Sequence, residues 1–86
     1  MNSMKIKILY FAWVREQVGR SKETVETNAS TVAELVDELI GRDAAYGAVF
    51  KDLSQIKVAV DQELSDLNTP LIDVLEVAFF PPMTGG

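Results

Sequence analysis

The chain has 86 residues, 48% of them hydrophobic and 24% charged, and a net charge of −5. A domain of this size buries only about 60 to 65% of the surface its unfolded form exposes, which argues against a large internal active site. It contains no cysteine and no histidine, so disulfides, thiolate nucleophiles, the usual zinc sites and imidazole bases are excluded together. Acidic groups run from Glu16 to Glu76 with the basic ones equally dispersed. No patch follows a phosphate backbone, and nucleic acid is not expected as a partner. No apolar run approaches the roughly 18 residues that cross a bilayer, and Met1-Asn2-Ser3-Met4 leads into alternating Lys and Ile instead of a signal-peptide core. The expected location is the cytoplasm, without a membrane partner.

Met4, Ile6, Ile8 and Tyr10 alternate with Lys5, Lys7, Leu9 and Phe11, the period of two of a strand with one face on a core. Trp13 to Val18 reads as a short helical turn stopped by Gly19, and Lys22 to Thr27 as a more polar strand returning antiparallel to the first. Thr31-Val32-Ala33-Glu34 fits a capping box and opens a helix. Its apolar residues Val32, Leu35, Val36, Leu39 and Ile40 form one stripe, Glu34, Asp37 and Glu38 face away, and Gly41 supplies the stop. Ala44 to Phe50 predicts a second short helix contacting the core through Tyr46, Val49 and Phe50, with Gly47 counting against it. Ile56, Val58 and Val60 alternate with Lys57, Ala59 and Asp61 as another strand. Leu64 to Leu71 holds a short extended piece closed by Thr69-Pro70, and the last strand is Leu75 to Phe80. This order has no repeat and no linker. It predicts one α+β domain over residues 1–86, a mixed sheet with one main helix packed on one face, and a ubiquitin-like β-grasp fits it best.

Pro81-Pro82-Met83-Thr84-Gly85-Gly86 cannot prolong the last strand, because proline donates no ladder hydrogen bond and restricts the residue before it. Residues 81–86 are therefore read as a protruding tail that reaches about 20 Å when extended. The prolines lower the entropy lost on fixing it, while the glycines let it pass a narrow channel and leave the terminal acyl carbon open to attack. By itself a Gly-Gly end is more often a frayed terminus. Strand parity puts Leu75, Val77 and Phe79 on one face and Glu76, Ala78 and Phe80 on the other, and sets Phe11 on the side of Lys5 and Lys7. Phe11 and Phe80 are then rings on an outer face, unless they fold over the sheet edge into a satellite core.

Three stretches resemble one family: Ile8-Leu9-Tyr10-Phe11-Ala12 with Val14-Arg15-Glu16, Thr31-Val32-Ala33-Glu34-Leu35, and above all Val77-Ala78-Phe79-Phe80-Pro81-Pro82-Met83-Thr84-Gly85-Gly86. The resemblance, running from Lys5 to Gly86, is to the MoaD family, the small subunits of molybdopterin synthase. It implies a ubiquitin-like sulfur carrier that holds a C-terminal thiocarboxylate, a 1-thioglycine, at Gly86 beside Gly85. It implies no permanently bound cofactor and no metal. A ubiquitin-activating-type adenylating enzyme uses ATP and Mg²⁺ to turn Gly86 into an acyl-adenylate, from which a persulfide sulfur displaces AMP. The tail, with Pro81, Pro82, Met83 and Thr84, then enters the large catalytic subunit of a heterotetramer of two small and two large subunits. There the sulfur attacks a pyranopterin precursor in molybdenum cofactor biosynthesis. The small subunit is thus a non-catalytic co-substrate of a sulfurtransferase. Residues matching Phe11, Leu64 and Phe80 are implied to make the hydrophobic contact with the large subunit and Arg15 a polar one, although a plain surface charge describes Arg15 equally well.

Two departures from the family pattern matter. Where it usually has Asp-Gly-Asp-Glu, this chain has Asp73-Val74-Leu75-Glu76, and a β-branched valine resists the positive φ that glycine permits. A different turn is expected, with Val74 at negative φ and Leu75 packed inward. The Asn-Gln of many relatives is Asp61-Gln62 here. Three other readings use the same residues: a thiamine-type sulfur carrier, typically shorter and without the Phe-Phe-Pro-Pro approach; a ubiquitin-related modifier joined to lysines; and an interaction domain with an inert tail.

Overall fold

Alternation along the first strand sets the two sides of the sheet. In the computed structural model, which describes residues 3–82, β1 (Met4–Tyr10) buries Ile6, Ile8 and Tyr10 and leaves Lys5 and Lys7 exposed. It is followed by α1 (Ala12–Val18), β2 (Lys22–Thr27), α2 (Val32–Ile40), α3 (Ala44–Phe50), a 3-10 turn (Leu53–Gln55), β3 (Lys57–Val60), β4 (Glu63–Ser65) and β5 (Glu76–Phe80). The strands lie in the order β2-β1-β5-β3-β4, with β5 in the middle. β1 and β5 are parallel and the other pairings antiparallel. Val32, Leu35, Val36 and Leu39 of α2 share one core cluster with Ile6, Ile8, Val58, Val77 and Phe79 of the sheet. The expected α+β β-grasp, a mixed sheet with the main helix on one face, is what forms. Each fully buried Leu of α2 contributes about 1.5–3 kcal/mol.

Local signals account for the helix ends. Thr31 Oγ1 accepts from the Glu34 N–H at 3.3 Å, but the Glu34 carboxylate reaches past the cap to the Ser30 N–H at 2.9 Å. Asp43 caps α3 by accepting from the Ala45 N–H at 2.8 Å, which supports a helix in spite of Gly47. Gly19 ends α1 at φ 92°, its N–H on the Arg15 carbonyl at 2.9 Å, whereas Gly41 ends α2 in the right-handed region at φ −70°.

Four expectations need correction. The short extended piece expected within Leu64 to Leu71 is β4, which starts at Glu63 and stops at Ser65, and it is closed ahead of Thr69-Pro70 by the Asp66 carboxylate, which bends the chain by accepting from the Asn68 N–H at 2.9 Å. Glu38 does not simply face solvent, because the hydroxyl of buried Thr27 donates to it at 2.6 Å. Ile40, counted in the apolar stripe, is exposed at the end of α2. At the turn before β5 Val74 avoids positive φ as expected, the left-handed residue being Asp73 (56°), but Leu75 does not pack inward. Val74 is the buried residue and Leu75 is 75% exposed. The strand's period of two begins only at Glu76, so parity extrapolated back to Leu75 fails. Among the described residues no helix is long and apolar enough to cross a membrane.

Candidate functional site

The outer face of the sheet carries a row set by register. Leu64 of β4 stands opposite Ala59 of β3, Ala59 opposite Ala78 of β5, and Ala78 opposite Leu9 of β1. Two alanines on adjacent middle strands lay a low floor, and larger apolar residues rise around it. The result is an open apolar hollow of about 470 Å³ whose wall includes Leu9, Phe11, Phe80, Pro81 and Pro82. The Phe11 N–H donates to the Phe79 carbonyl at 3.1 Å. That bond ties the start of α1 to the end of β5, and so holds one ring of the hollow beside the root of the tail.

The structure brings four of the expected residues together. Phe11 is 48% exposed, Phe80, Pro81 and Pro82 are half-buried, and all four line the hollow. Neither ring joins the core cluster. Leu64 is 75% exposed on the same face but stands off the wall, one strand beyond Ala59. Arg15 is exposed on α1, away from the hollow. Met83, Thr84, Gly85 and Gly86 lie outside the described residues.

Sequence reasoning missed Ala12 and Gln62, which also stand on the wall. The signal that would have found Gln62 is Asp61-Gln62 between two alternating runs, the spacing of a two-residue hairpin loop. It also missed the network beneath the site. Tyr10 donates to Glu23 Oε2 at 2.6 Å, Tyr46 donates to the same oxygen, and Arg20 Nη1 reaches Oε1 at 3.1 Å. Burial alone raises the Glu23 carboxyl, but the two phenol hydrogen bonds and the Arg20 charge outweigh it and hold it below the ordinary carboxylate value. Burial, reinforced by Glu23, pushes both phenols above theirs, Tyr10 very far. Read only as a more polar strand, β2 gave no hint that Glu23 turns inward.

Comparison with known proteins places this geometry. Residues 8–86 match the ThiS family. The molybdopterin synthase sulfur carrier subunit of Escherichia coli (strain K12) is 40% identical over 81 residues, which are 94% of this chain and 99% of that protein. The crystal structure of H. volcanii small archaeal modifier protein 1 superposes with a TM-score of 0.75 at 26% identity, covering 92% of this chain and 98% of that one. A protein-protein complex of subunits 1 and 2 of molybdopterin-converting factor from Helicobacter pylori 26695 matches with a TM-score of 0.60 at 25% identity, over 96% of this chain and 100% of that chain. The chain belongs to the ThiS family.

Proposed function

We propose that this chain is the sulfur-carrier subunit of a molybdopterin synthase, working in the cytoplasm as a co-substrate that the catalytic subunit consumes and releases. The observation that carries the reading is the apolar hollow whose wall is built partly by Pro81 and Pro82, so that the docking face and the first residues of the tail are one surface. A partner seated on Phe11 and Phe80 receives residues 83–86 from a fixed starting point, and the stiff Pro-Pro step limits the entropy lost when they are drawn in.

The chemistry follows from what a carboxylate lacks. Unactivated, it is a poor electrophile. A ubiquitin-activating-type enzyme joins the Gly86 carboxylate to the α-phosphate of Mg²⁺-ATP, releasing pyrophosphate. The terminal sulfur of a donor persulfide then attacks the acyl carbon and AMP departs. A thiol cleaves the resulting acyl disulfide, taking the donor sulfur into a new disulfide and leaving a thiocarboxylate on Gly86. In a heterotetramer of two small and two large subunits, that sulfur attacks a side-chain carbon of the pyranopterin to form a thioester, and a C–O bond at that carbon breaks, its oxygen staying on the phosphate or leaving as water. Water then hydrolyses the thioester, leaving a thiol on the pterin and restoring the carboxylate. Two rounds make one dithiolene. A chain without cysteine has no competing thiol of its own.

The likeness to a small archaeal modifier protein favours a second reading, in which a lysine amine attacks the same activated Gly86 and forms an isopeptide. Intact-mass analysis of the chain recovered from its native cell separates the two. Exchange of one oxygen for sulfur at Gly86 supports the carrier, and an isopeptide supports the modifier. Deleting Gly86 abolishes sulfur loading and leaves the fold intact; a deleted chain that still drives dithiolene formation with the purified large subunit overturns the proposal.

A further inference from the structure

Left-handed backbone is uncommon at residues other than glycine. Among the described residues it occurs at Ala12 (54°), Asp61 (49°), Gln62 (72°) and Asp73 (56°). Ala12 and Gln62 both stand on the wall of the hollow. Asp61, beside Gln62, accepts at one carboxylate oxygen from the N–H groups of Leu75 and Glu76, at 3.0 and 2.9 Å, and so fixes the start of β5.

Asp61-Gln62 is the two-residue loop joining β3 to β4. Positive φ at both positions is the type I′ hairpin geometry, for which glycine is the natural second residue. Asp61 has a structural reason to be where it is, because its side chain holds two N–H groups. Gln62 has none of that kind. It is exposed, and no described residue hydrogen-bonds its side-chain amide. A bulky residue kept in a conformation that suits glycine points to a use for its side chain.

The wall indicates the use. Apart from Gln62 and Glu76, every residue on it is apolar. A primary amide presents a donor and an acceptor side by side without a charge, which matches the edge of a peptide group and survives desolvation at lower cost than an ion. We infer that Gln62 is a specificity-determining contact of the docking face, its amide pairing with a main-chain peptide group of the large subunit while an apolar side chain of the same segment enters the hollow. The inference rests on the reading of this face as the one that docks on the large subunit.

The test uses the full chain and the purified large subunit, with calorimetric titration for binding and thermal melting of the free chain. Gln62→Gly removes the amide and the strain together, so it raises the melting temperature while weakening binding about ten-fold, the partner's peptide group being left unpaired. Gln62→Met keeps the length and the strain, melts like the parent, and weakens binding to a similar degree. Phe80→Ala serves as the reference for the face itself. If both Gln62 variants bind like the parent while Phe80→Ala binds weakly, Gln62 is only a turn residue and the inference falls alone. If Phe80→Ala also binds like the parent, the docking face is misplaced and both readings fall. If Gln62→Gly lowers the melting temperature, Gln62 is a structural residue and the inference is likewise overturned.

Discussion

Tyr10 stacks on Phe79, ring centroids 6.2 Å apart and planes inclined by 16°, and each is followed by one of the two rings of the hollow, Phe11 and Phe80. The pairing follows from register, since Tyr10 and Phe79 are partners in the parallel ladder of β1 and β5. Consecutive residues of a strand point to opposite faces. The inward pair packs under the helices, where Phe50 meets Phe79 edge-on at 5.0 Å, and the outward pair lines the hollow. The core stack and the wall of the hollow are therefore two sides of the same two dipeptides.

Glu23 anchors that stack through the Tyr10 hydroxyl, so its removal has a defined cost. Glu23→Ala orphans the hydroxyl of Tyr10, which is 1% exposed, and frees that of Tyr46. Leaving a buried donor unsatisfied costs about 1–3 kcal/mol, and in a domain this small each kcal/mol lowers the melting temperature by about 4–8 °C. Thermal denaturation at neutral pH checks this. A variant that melts with the parent would mean that water replaces the carboxylate without loss.

The same network gives stability a pH profile with two edges. The Glu23 carboxyl is depressed from its ordinary 4.5, so its contribution is present above that value and is lost as pH falls through the lower, folded one. Tyr10 and Tyr46 are raised from 10.0. Above that pH the unfolded chain releases phenol protons that the folded chain keeps, and stability falls as pH rises. Melting temperature is expected to be flat between these limits and to drop on both sides. Tyr46→Phe should soften the alkaline edge.

Phe80 offers the test of the proposed docking face. It is half-buried and lies outside the core cluster, so Phe80→Ala should cost little in the free chain. Burying one large apolar side chain at an interface is worth about 1.5–3 kcal/mol, or roughly a 10- to 150-fold change in dissociation constant. Titration of the large subunit with parent and variant measures it. A variant that binds normally but melts much earlier would make Phe80 a core residue.

What the sequence made legible was whatever depends on near neighbours in the chain. The alternation of Met4 to Tyr10, the stripe of α2 and the two prolines after Phe80 are local patterns, and the strand, the helix and the end of β5 at Phe80 that they predict are present. Strand parity sent Phe11 and Phe80 to the outer face correctly. The hollow itself was not legible, because its floor depends on Ala59 meeting Ala78, a register between strands 19 residues apart that no local period encodes. Glu38 was read as facing away, and the role of Glu23 was missed, for the same reason: their partners Thr27 and Tyr46 are 11 and 23 residues away. Leu75 was misplaced because parity was carried past the end of a strand into a turn.

That turn yields the sharpest prediction, because two adjacent residues should respond to glycine with opposite signs. Asp73 holds φ at 56°, a conformation that costs a non-glycine residue on the order of 1–3 kcal/mol. Asp73→Gly relieves that strain but gains freedom in the unfolded chain worth about 0.4–1 kcal/mol, so the net effect is a modest stabilisation. Val74 is 6% exposed and belongs to the core cluster. Val74→Gly therefore loses the burial of a whole side chain, about 1.5–3 kcal/mol, and adds the same entropic penalty without relieving any strain. The Asp61 carboxylate continues to hold the N–H groups of Leu75 and Glu76 in both variants, which keeps the start of β5 in place and makes the comparison fair. Melting temperatures should rank Asp73→Gly above the parent and Val74→Gly well below it. The reverse order would put the left-handed residue at position 74 and Val74 outside the core.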